Sequence, residues 1–374
     1  MELGVYVHIP FCVRKCAYCD FNSYAMSGEV VERCVRACEA EIRRSPRAGS
    51  RVGTVFFGGG TPTFLTADQL TRLLHAVRET FAVAADAEIT SEANPGTADA
   101  GKFSSMRQAG FNRLSIGAQS FDDRELARLE RVHRAAEIGS AVAAARAAGF
   151  DDLNLDLMYA LPGQTVTGWL RSLEAALALR PEHLSLYCLT IEPGTPFHER
   201  QQRGELDLPD EKTQVAMQME AARTCAAAGL RRYEISNFAR PGRECRHNLV
   251  YWRNEEYVGF GPGSASYVDG QRWSNVRHPE EYIAAVESGE GPTGERERLE
   301  PDRATAETLM LGLRLTEGIS FERLERRHPG ALSRLRAELE ELVDCGWLAM
   351  DGDRMWLTDE GMLFHDEVTI RLLP

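Results

Sequence analysis

Through the first half of the chain, short apolar runs alternate with longer amphipathic stretches. Val5–Ile9, Thr54–Phe57, Glu88–Glu92, Arg113–Ile116, Asp152–Met158 and His183–Leu189 read as strands, being short and rich in β-branched or aromatic residues. Between them, apolar spacing predicts helices near 27–44, 67–81, 99–109, 134–148 and 165–179. In the last, "TVTGWLRSLEAALAL", Trp169, Leu170, Leu173 and Leu177 fall on one face. Repeated β–α units predict an α/β fold, a parallel sheet curled into a full or partial TIM-like barrel. Functional residues then belong at the C-terminal ends of its strands.

Regularity fades near Leu230. Residues 231–275, rich in Gly, Asn, Arg and aromatic residues, are too long and too aromatic for an idle loop. From Pro301, helices near 303–314 and 332–343 precede two short strands around Asp351-Gly352-Asp353, a hairpin turn signal, and a final helix. The expected units are a barrel over 1–230, a connecting segment over 231–300 and a winged-helix-like α+β module over 301–374.

Charge narrows the partners. The 374 residues carry a net charge of −13, and residues 301–374 hold 9 Arg, no Lys and 15 acidic residues. That balance disfavours binding to nucleic acid or to an anionic membrane surface. No apolar run approaches the ~18 residues of a membrane span. The start "MELGVYVHIP" lacks the marks of a signal peptide, so a cytoplasmic location is expected. The nine cysteines would be reduced there, and a cluster of them needs a reason.

"YVHIPFCVRKCAYCDF" supplies such a cluster. Cys12, Cys16 and Cys19 follow a Cys-x3-Cys-x2-Cys spacing. Zinc sites usually bring four ligands in paired sets, and no second CxxC exists here. A cubane iron–sulfur cluster also takes four, so three protein thiolates leave one iron free for another ligand. Cys34 and Cys38 share a helical face and read as core packing, as do Cys188, Cys225 and Cys345.

Further polar residues gather at strand ends. "FFGGGTPTFL", with Gly59, Gly60 and Thr61, follows the second strand and suits close backbone approach to a ligand with exposed N–H donors. Glu92, Gln119 and Asp156 lie at or near successive strand ends, and Arg131 follows the fourth. Together they would line a barrel mouth; separately, Glu92 and Arg131 could be an ion pair and Asp156 a turn acceptor.

The cysteine spacing resembles that of the radical S-adenosylmethionine superfamily. "YVHIPFC", "GGGTPT", "NRLSIGAQSF" and "LPGQT" are similar to the oxygen-independent coproporphyrinogen III oxidase family, over nearly the whole chain. The resemblance implies a partial (β/α)6 barrel and a [4Fe-4S] cluster on Cys12, Cys16 and Cys19. It also implies S-adenosylmethionine contacts from Tyr6, Tyr18, Gly59, Gly60, Thr61, Glu92, Gln119, Arg131 and Asp156. The family's oxidases continue as Cys-x3-Cys-x2-Cys-x-Cys, whereas Phe21 holds the last position here. Phe21 and "HNLVYW" (His247 to Trp252) resemble instead the family's heme chaperone branch.

That branch implies heme as a third cofactor, with His247, Tyr251 and Trp252 as its contacts. The residues allow this. Histidine is a common axial ligand, Tyr251, Trp252 and Phe260 would flank a porphyrin, and Arg243, Arg246 and Arg253 would pair with propionates. Cys245 is a rival ligand, and a packed histidine among aromatics is the alternative. The leading expectation is a carrier passing heme to an acceptor protein, with reduction by a flavodoxin or ferredoxin and membrane contact only through the acceptor. The competing expectations are oxidative decarboxylation of coproporphyrinogen III and another radical reaction on a tetrapyrrole.

Overall fold

The computed structural model describes residues 2–97 and 99–372. Its first part alternates as expected: β1 (Leu3–Ile9), α1 (Glu29–Arg43), β2 (Arg51–Gly59), α2 (Ala67–Thr80), β3 (Ala82–Ala93), α3 (Ala100–Ala109), β4 (Arg113–Gln119), α4 (Asp123–Arg128), α5 (Ala135–Ala147), β5 (Leu153–Tyr159), α6 (Val166–Ala178) and β6 (His183–Cys188). The short helix α4 falls in a stretch assigned no element. The strands β1 to β6 pair in chain order, all parallel.

Two-residue periodicity gives this sheet two chemically distinct faces. Val5, Val7, Val55, Phe57, Leu114, Ile116, Leu155 and Leu184 join the hydrophobic core under the helices. Their neighbours Tyr6, Glu92, Ser115, Asn154, Asp156 and Ser185 line cavities on the inner face. Helix α6 seals the outer layer with Trp169 and Leu173 fully buried, while Leu170 and Leu177 pack at the edge.

Three further features depart from the sequence expectation. Helix α7 (Pro196–Gln202) and the longer α8 (Glu211–Ala227) occupy a stretch assigned no element. The Asp210 side chain caps α8, and Trp169 Nε1 donates to Met217 O at 3.1 Å to dock it. Secondly, residues 231–300 supply strands to both edges of the same sheet. After β7 (Arg231–Arg232), β8 (Asn237–Ala239) pairs antiparallel with β6. Beyond α9 (Arg246–Trp252), β9 (Tyr257–Phe260) returns to pair parallel with β1. Strands β10 (Ala265–Val268), β11 (Gln271–Asn275) and, after α10 (Pro279–Ser288), β12 (Thr293–Glu297) continue that edge antiparallel. Among the described residues the two ends of this twelve-stranded sheet do not pair, so the barrel is partial. Thirdly, Cys345 is exposed rather than core, because it caps the end of a surface helix.

Glu41 fastens the added edge to α1. Its Oε2 accepts from Gly261 N at 2.9 Å and from the Tyr282 hydroxyl, and its Oε1 accepts from Asn275 Nδ2 at 2.7 Å.

The C-terminal module comprises α11 (Pro301–Gly312), β13 (Ile319–Ser320), α12 (Phe321–Arg327), α13 (Ala331–Arg334), α14 (Arg336–Asp344), β14 (Leu348–Asp351), β15 (Arg354–Leu357) and α15 (His365–Arg371). It has its own core around Leu309, Leu324, Leu342 and Met355. Gly352, at φ +58°, turns the expected hairpin. Among the described residues no helix is long and apolar enough to cross a membrane.

Replacing Glu41 by Ala strands two donors, Gly261 N and the Tyr282 hydroxyl, in the joint between α1 and the added edge, while Asn275 Nδ2 keeps Gly261 O and Ser264 Oγ. At roughly 1–3 kcal/mol for each buried group left unpaired, the loss should reach at least about 2 kcal/mol. Denaturant titration of Glu41→Ala against Glu41→Gln checks this, the amide retaining most of the stability.

Candidate cofactor site in the barrel lumen

The cysteine loop leaves β1 and folds back on itself, Cys12 N donating to Tyr24 O at 3.0 Å and Tyr24 N to Pro10 O at 2.7 Å. The Gly-rich turn after β2 seats it. Gly60 N donates to Ile9 O at 2.8 Å and Thr61 N to Phe11 O at 2.9 Å. A side chain at Gly60 would place its Cβ 2.7 Å from Phe11 O, and at Gly59, with φ +113°, 2.5 Å from the His8 ring. Gly59 N donates to Glu92 Oε2 at 3.1 Å. The expectation of free N–H donors is therefore corrected: all three amides are used within the protein. The glycines serve the close approach of the cysteine loop.

Below the loop opens a chamber of about 360 Å³. It brings together Cys12, Cys16 and Cys19 with Tyr18, Gly59, Gly60, Thr61, Glu92, Gln119, Arg131 and Asp156. Among the described residues no three His, Cys, Asp or Glu side chains converge on a single metal ion. A cubane places each thiolate on a different iron, and all three cysteines are free thiols facing one space, so the set fits a cluster. Burial pushes the Cys12 and Cys19 thiols up, so a bound cluster would have to draw off their protons.

The walls are arranged for a polar ligand. Arg131 reaches Gly117 O at 2.8 Å and Cys16 Sγ at 3.5 Å rather than pairing with Glu92. Gly117 makes room, since a Cβ there would lie 2.9 Å from Gln119 Nε2 and 3.2 Å from Arg131 Nη2. Gln119 adopts φ +63°, a left-handed conformation uncommon outside glycine, that turns the chain at the strand end. Asp156 lies within β5, not in a turn, and accepts from Ser115 Oγ at 2.9 Å and Asn154 Nδ2 at 2.8 Å. Burial and then the Asp156 charge push Glu92 up to about 8. Two lumenal carboxylates beside a thiol cluster suit a ligand bearing both hydroxyls and positive charge. The amino, sulfonium and ribose groups of S-adenosylmethionine have that chemistry.

Tyr6 lies elsewhere. It lines a second cavity of about 230 Å³ deeper in the barrel, contiguous with the first through Glu92, Ser115, Asp156 and Tyr187. Its hydroxyl is 3.0 Å from His8 Nδ1.

Helix α9 forms the floor of that lower cavity. Residues 246–252, assigned no element from the sequence, are helical. Glu88 of β3 accepts their first two amides, Arg246 N at 2.8 Å and His247 N at 3.0 Å. His247 is 0% exposed, with Nδ1 2.8 Å from Thr54 Oγ1 and Nε2 2.9 Å from the Tyr251 hydroxyl. Burial lowers its pKa to about 3. Trp252 faces the C-terminal module, under the Arg314 guanidinium at 4.4 Å. Arg243, Arg246 and Arg253 already face Asp152, Glu2 and Glu317. Phe260 packs on Phe81. Cys245 is buried against Glu88. In this arrangement residues 245–253 do not form a heme pocket: both imidazole nitrogens are engaged and the arginines are paired.

The chain matches the Radical SAM superfamily over residues 6–176 and the HemN C-terminal domain over residues 299–364. It is 40% identical to "Heme chaperone HemW" of Mycobacterium tuberculosis, covering 99% of this chain and 94% of that protein. The chain belongs to the HemW family of radical SAM proteins. Within the family, HemW of Bacillus subtilis is 37% identical, covering 98% of this chain and 97% of that protein. Among solved structures, "Coproporphyrinogen III oxidase (HemN) from Escherichia coli" superposes with TM-score 0.85 at 26% identity, covering 99% of this chain and 90% of the other. The family's fold, a partial barrel of radical SAM type with a small C-terminal α+β module, is the one expected.

Ionisation of Glu92 should weaken the empty fold. Its folded pKa near 8 exceeds the ordinary 4.5, so its contribution is complete below about 4.5 and lost as pH rises through about 8. Glu92→Gln removes that titration. Between about pH 5 and 8 the melting temperature of wild type should fall relative to the variant, measured on cluster-free protein in matched buffers.

Proposed function

We propose that this protein is a heme chaperone, binding heme and passing it to an acceptor protein. Its barrel holds a [4Fe-4S] cluster on Cys12, Cys16 and Cys19 and S-adenosylmethionine in the upper chamber. The observation that carries the reading is full-length similarity to heme chaperones, 40% identity across 99% of the chain. Phe21 adds to it. This side chain is 63% exposed at the chamber rim, where the oxidase pattern calls for another cysteine.

Glu92, Gln119, Arg131 and Asp156 bind and orient the cofactor on this reading, with Tyr18 closing the side beside Arg131. A bound, reduced cluster supplies an electron to the sulfonium. The reductant is a small carrier such as a flavodoxin or ferredoxin, and the setting is cytoplasmic. Tyr6 acts on the cofactor indirectly, through the wall shared by the two cavities.

For heme the structure imposes a condition. Ligation by His247, with Tyr251 and Trp252 against the macrocycle, requires α9 to leave the floor and give up its bonds to Thr54 and Glu88, and His247 Nε2 to release Tyr251 within the helix. The second reading, coproporphyrinogen III oxidation, is favoured by the superposition on HemN. Phe21 weighs against it.

Anaerobic reconstitution, heme titration and transfer to an apo-cytochrome separate the two readings. Heme should bind and transfer unchanged, and coproporphyrinogen III should remain unconverted by chromatography. Turnover to protoporphyrinogen would establish the oxidase instead. In the same titration His247→Ala should shift the Soret band if α9 opens. An unshifted band, with Cys245→Ser shifting it, gives the iron to the thiolate.

A further inference from the structure

Asp156 is joined to Tyr233 by an unbroken chain of side chains, and the main chain of Tyr233 is held by the C-terminal module. The Tyr233 hydroxyl lies 2.9 Å from His183 Nε2, His183 Nδ1 lies 2.7 Å from Asn154 Oδ1, and Asn154 Nδ2 lies 2.8 Å from Asp156 Oδ1. All three intermediates are buried.

The direction of this chain is fixed by its chemistry. A carboxylate accepts, so Asn154 must turn its NH2 toward Asp156, a choice reinforced by Ser115, whose hydroxyl donates to Asp156 Oδ2 at 2.9 Å and so accepts from the same nitrogen at 2.7 Å, and by Ser185, which donates to Asn154 Oδ1 at 3.2 Å. Asn154 Oδ1 then faces His183, which must carry its proton on Nδ1. Burial and the nearby Arg113 charge hold His183 neutral, far below its ordinary pKa. Its Nε2 is therefore bare and accepts from the Tyr233 hydroxyl. Every donor points toward Asp156.

The far end is clamped by the module. Tyr233 O accepts from Thr316 N at 3.0 Å and from Thr316 Oγ1 at 3.2 Å. Glu234, next in sequence and 0% exposed, pairs with Arg314 at 2.9 Å, and Arg314 covers Trp252.

We infer that Asn154, His183 and Tyr233 are positioning residues, a one-way donor relay that holds Asp156 as an acceptor facing the chamber. The relay ties cofactor affinity to the docking of the C-terminal module. The inference rests on the reading of the chamber as the S-adenosylmethionine site. None of the three residues needs to touch the ligand.

The test combines two measurements on anaerobically reconstituted full-length protein. Equilibrium dialysis gives the dissociation constant for S-adenosylmethionine, and imidazole-15N NMR gives the His183 tautomer. Wild type should bind and show the Nδ1–H form. Tyr233→Phe removes one donor and should raise the dissociation constant about tenfold, with His183 still Nδ1–H, since Asn154 Oδ1 requires it, and the Nε2 resonance shifted by the lost hydrogen bond. His183→Leu should weaken binding at least as much and His183→Gln, which keeps a donor for Asn154, much less. The histidine pair also covers a Tyr233→Phe protein that fails to fold. Wild-type affinity retained in Tyr233→Phe and His183→Leu, or a wild-type His183 protonated on Nε2, overturns the relay alone. No binding by wild type overturns the cofactor reading, and the relay with it.

Discussion

Glu92 and Asp156 bring two carboxylates together inside the barrel, where burial opposes both charges and Asp156 raises Glu92 further. Much of the surrounding structure answers that cost. Gly59 takes a positive φ, its amide turned to Glu92, and the same turn anchors the cysteine loop through Gly60 and Thr61. Ser115 and Asn154 spend their donors on Asp156. The compensation is incomplete, since both groups remain raised. A site where Glu92 keeps its proton beside Asp156 and three thiols, and ionises readily only when a cation arrives, is prepared for a ligand carrying positive charge and hydroxyl donors. Stability surrendered in the empty protein becomes affinity in the loaded one.

The floor of the barrel follows a different logic. Helix α9 is held by Thr54 of β2 and Glu88 of β3, while its Trp252 end lies under Arg314 of the C-terminal module. One short helix thus closes the lumen and fixes the module to it. A heme carrier must hold its cargo and release it. If the ligand comes from α9, exchange of cargo is coupled to opening of the lumen beneath the cofactor.

Much of this was legible in the chain. Strand β-branching and apolar helix faces marked β1 to β6 and five of the helices, since parallel strands buried under helices need both. The cysteine spacing and the strand-end residues Glu92, Gln119 and Asp156 marked the chamber. The polar members of "RLS", "LNLD" and "HLSL" alternate with leucines, a pattern that also marks Ser115, Asn154 and Ser185 as lumen-facing, though the strand assignments above left it unread. Other parts were hidden. Helix α8 buries small residues, Ala221 and Cys225, which give little periodic contrast. The strands of 231–300 are two to five residues long and gain their pairing from distant partners. The helix carrying His247 was not legible because the carboxylate capping it, Glu88, lies far away in sequence.

On the proposed reading, the carboxylate-lined lumen presents S-adenosylmethionine to the open iron of a cluster on Cys12, Cys16 and Cys19. Electron–nuclear double resonance on the reduced, reconstituted protein with amino-15N-labelled cofactor tests it most directly. The account predicts a 15N hyperfine coupling to the cluster spin, together with a changed EPR spectrum on cofactor addition. A spectrum indifferent to saturating cofactor, with no nitrogen coupling, would contradict it.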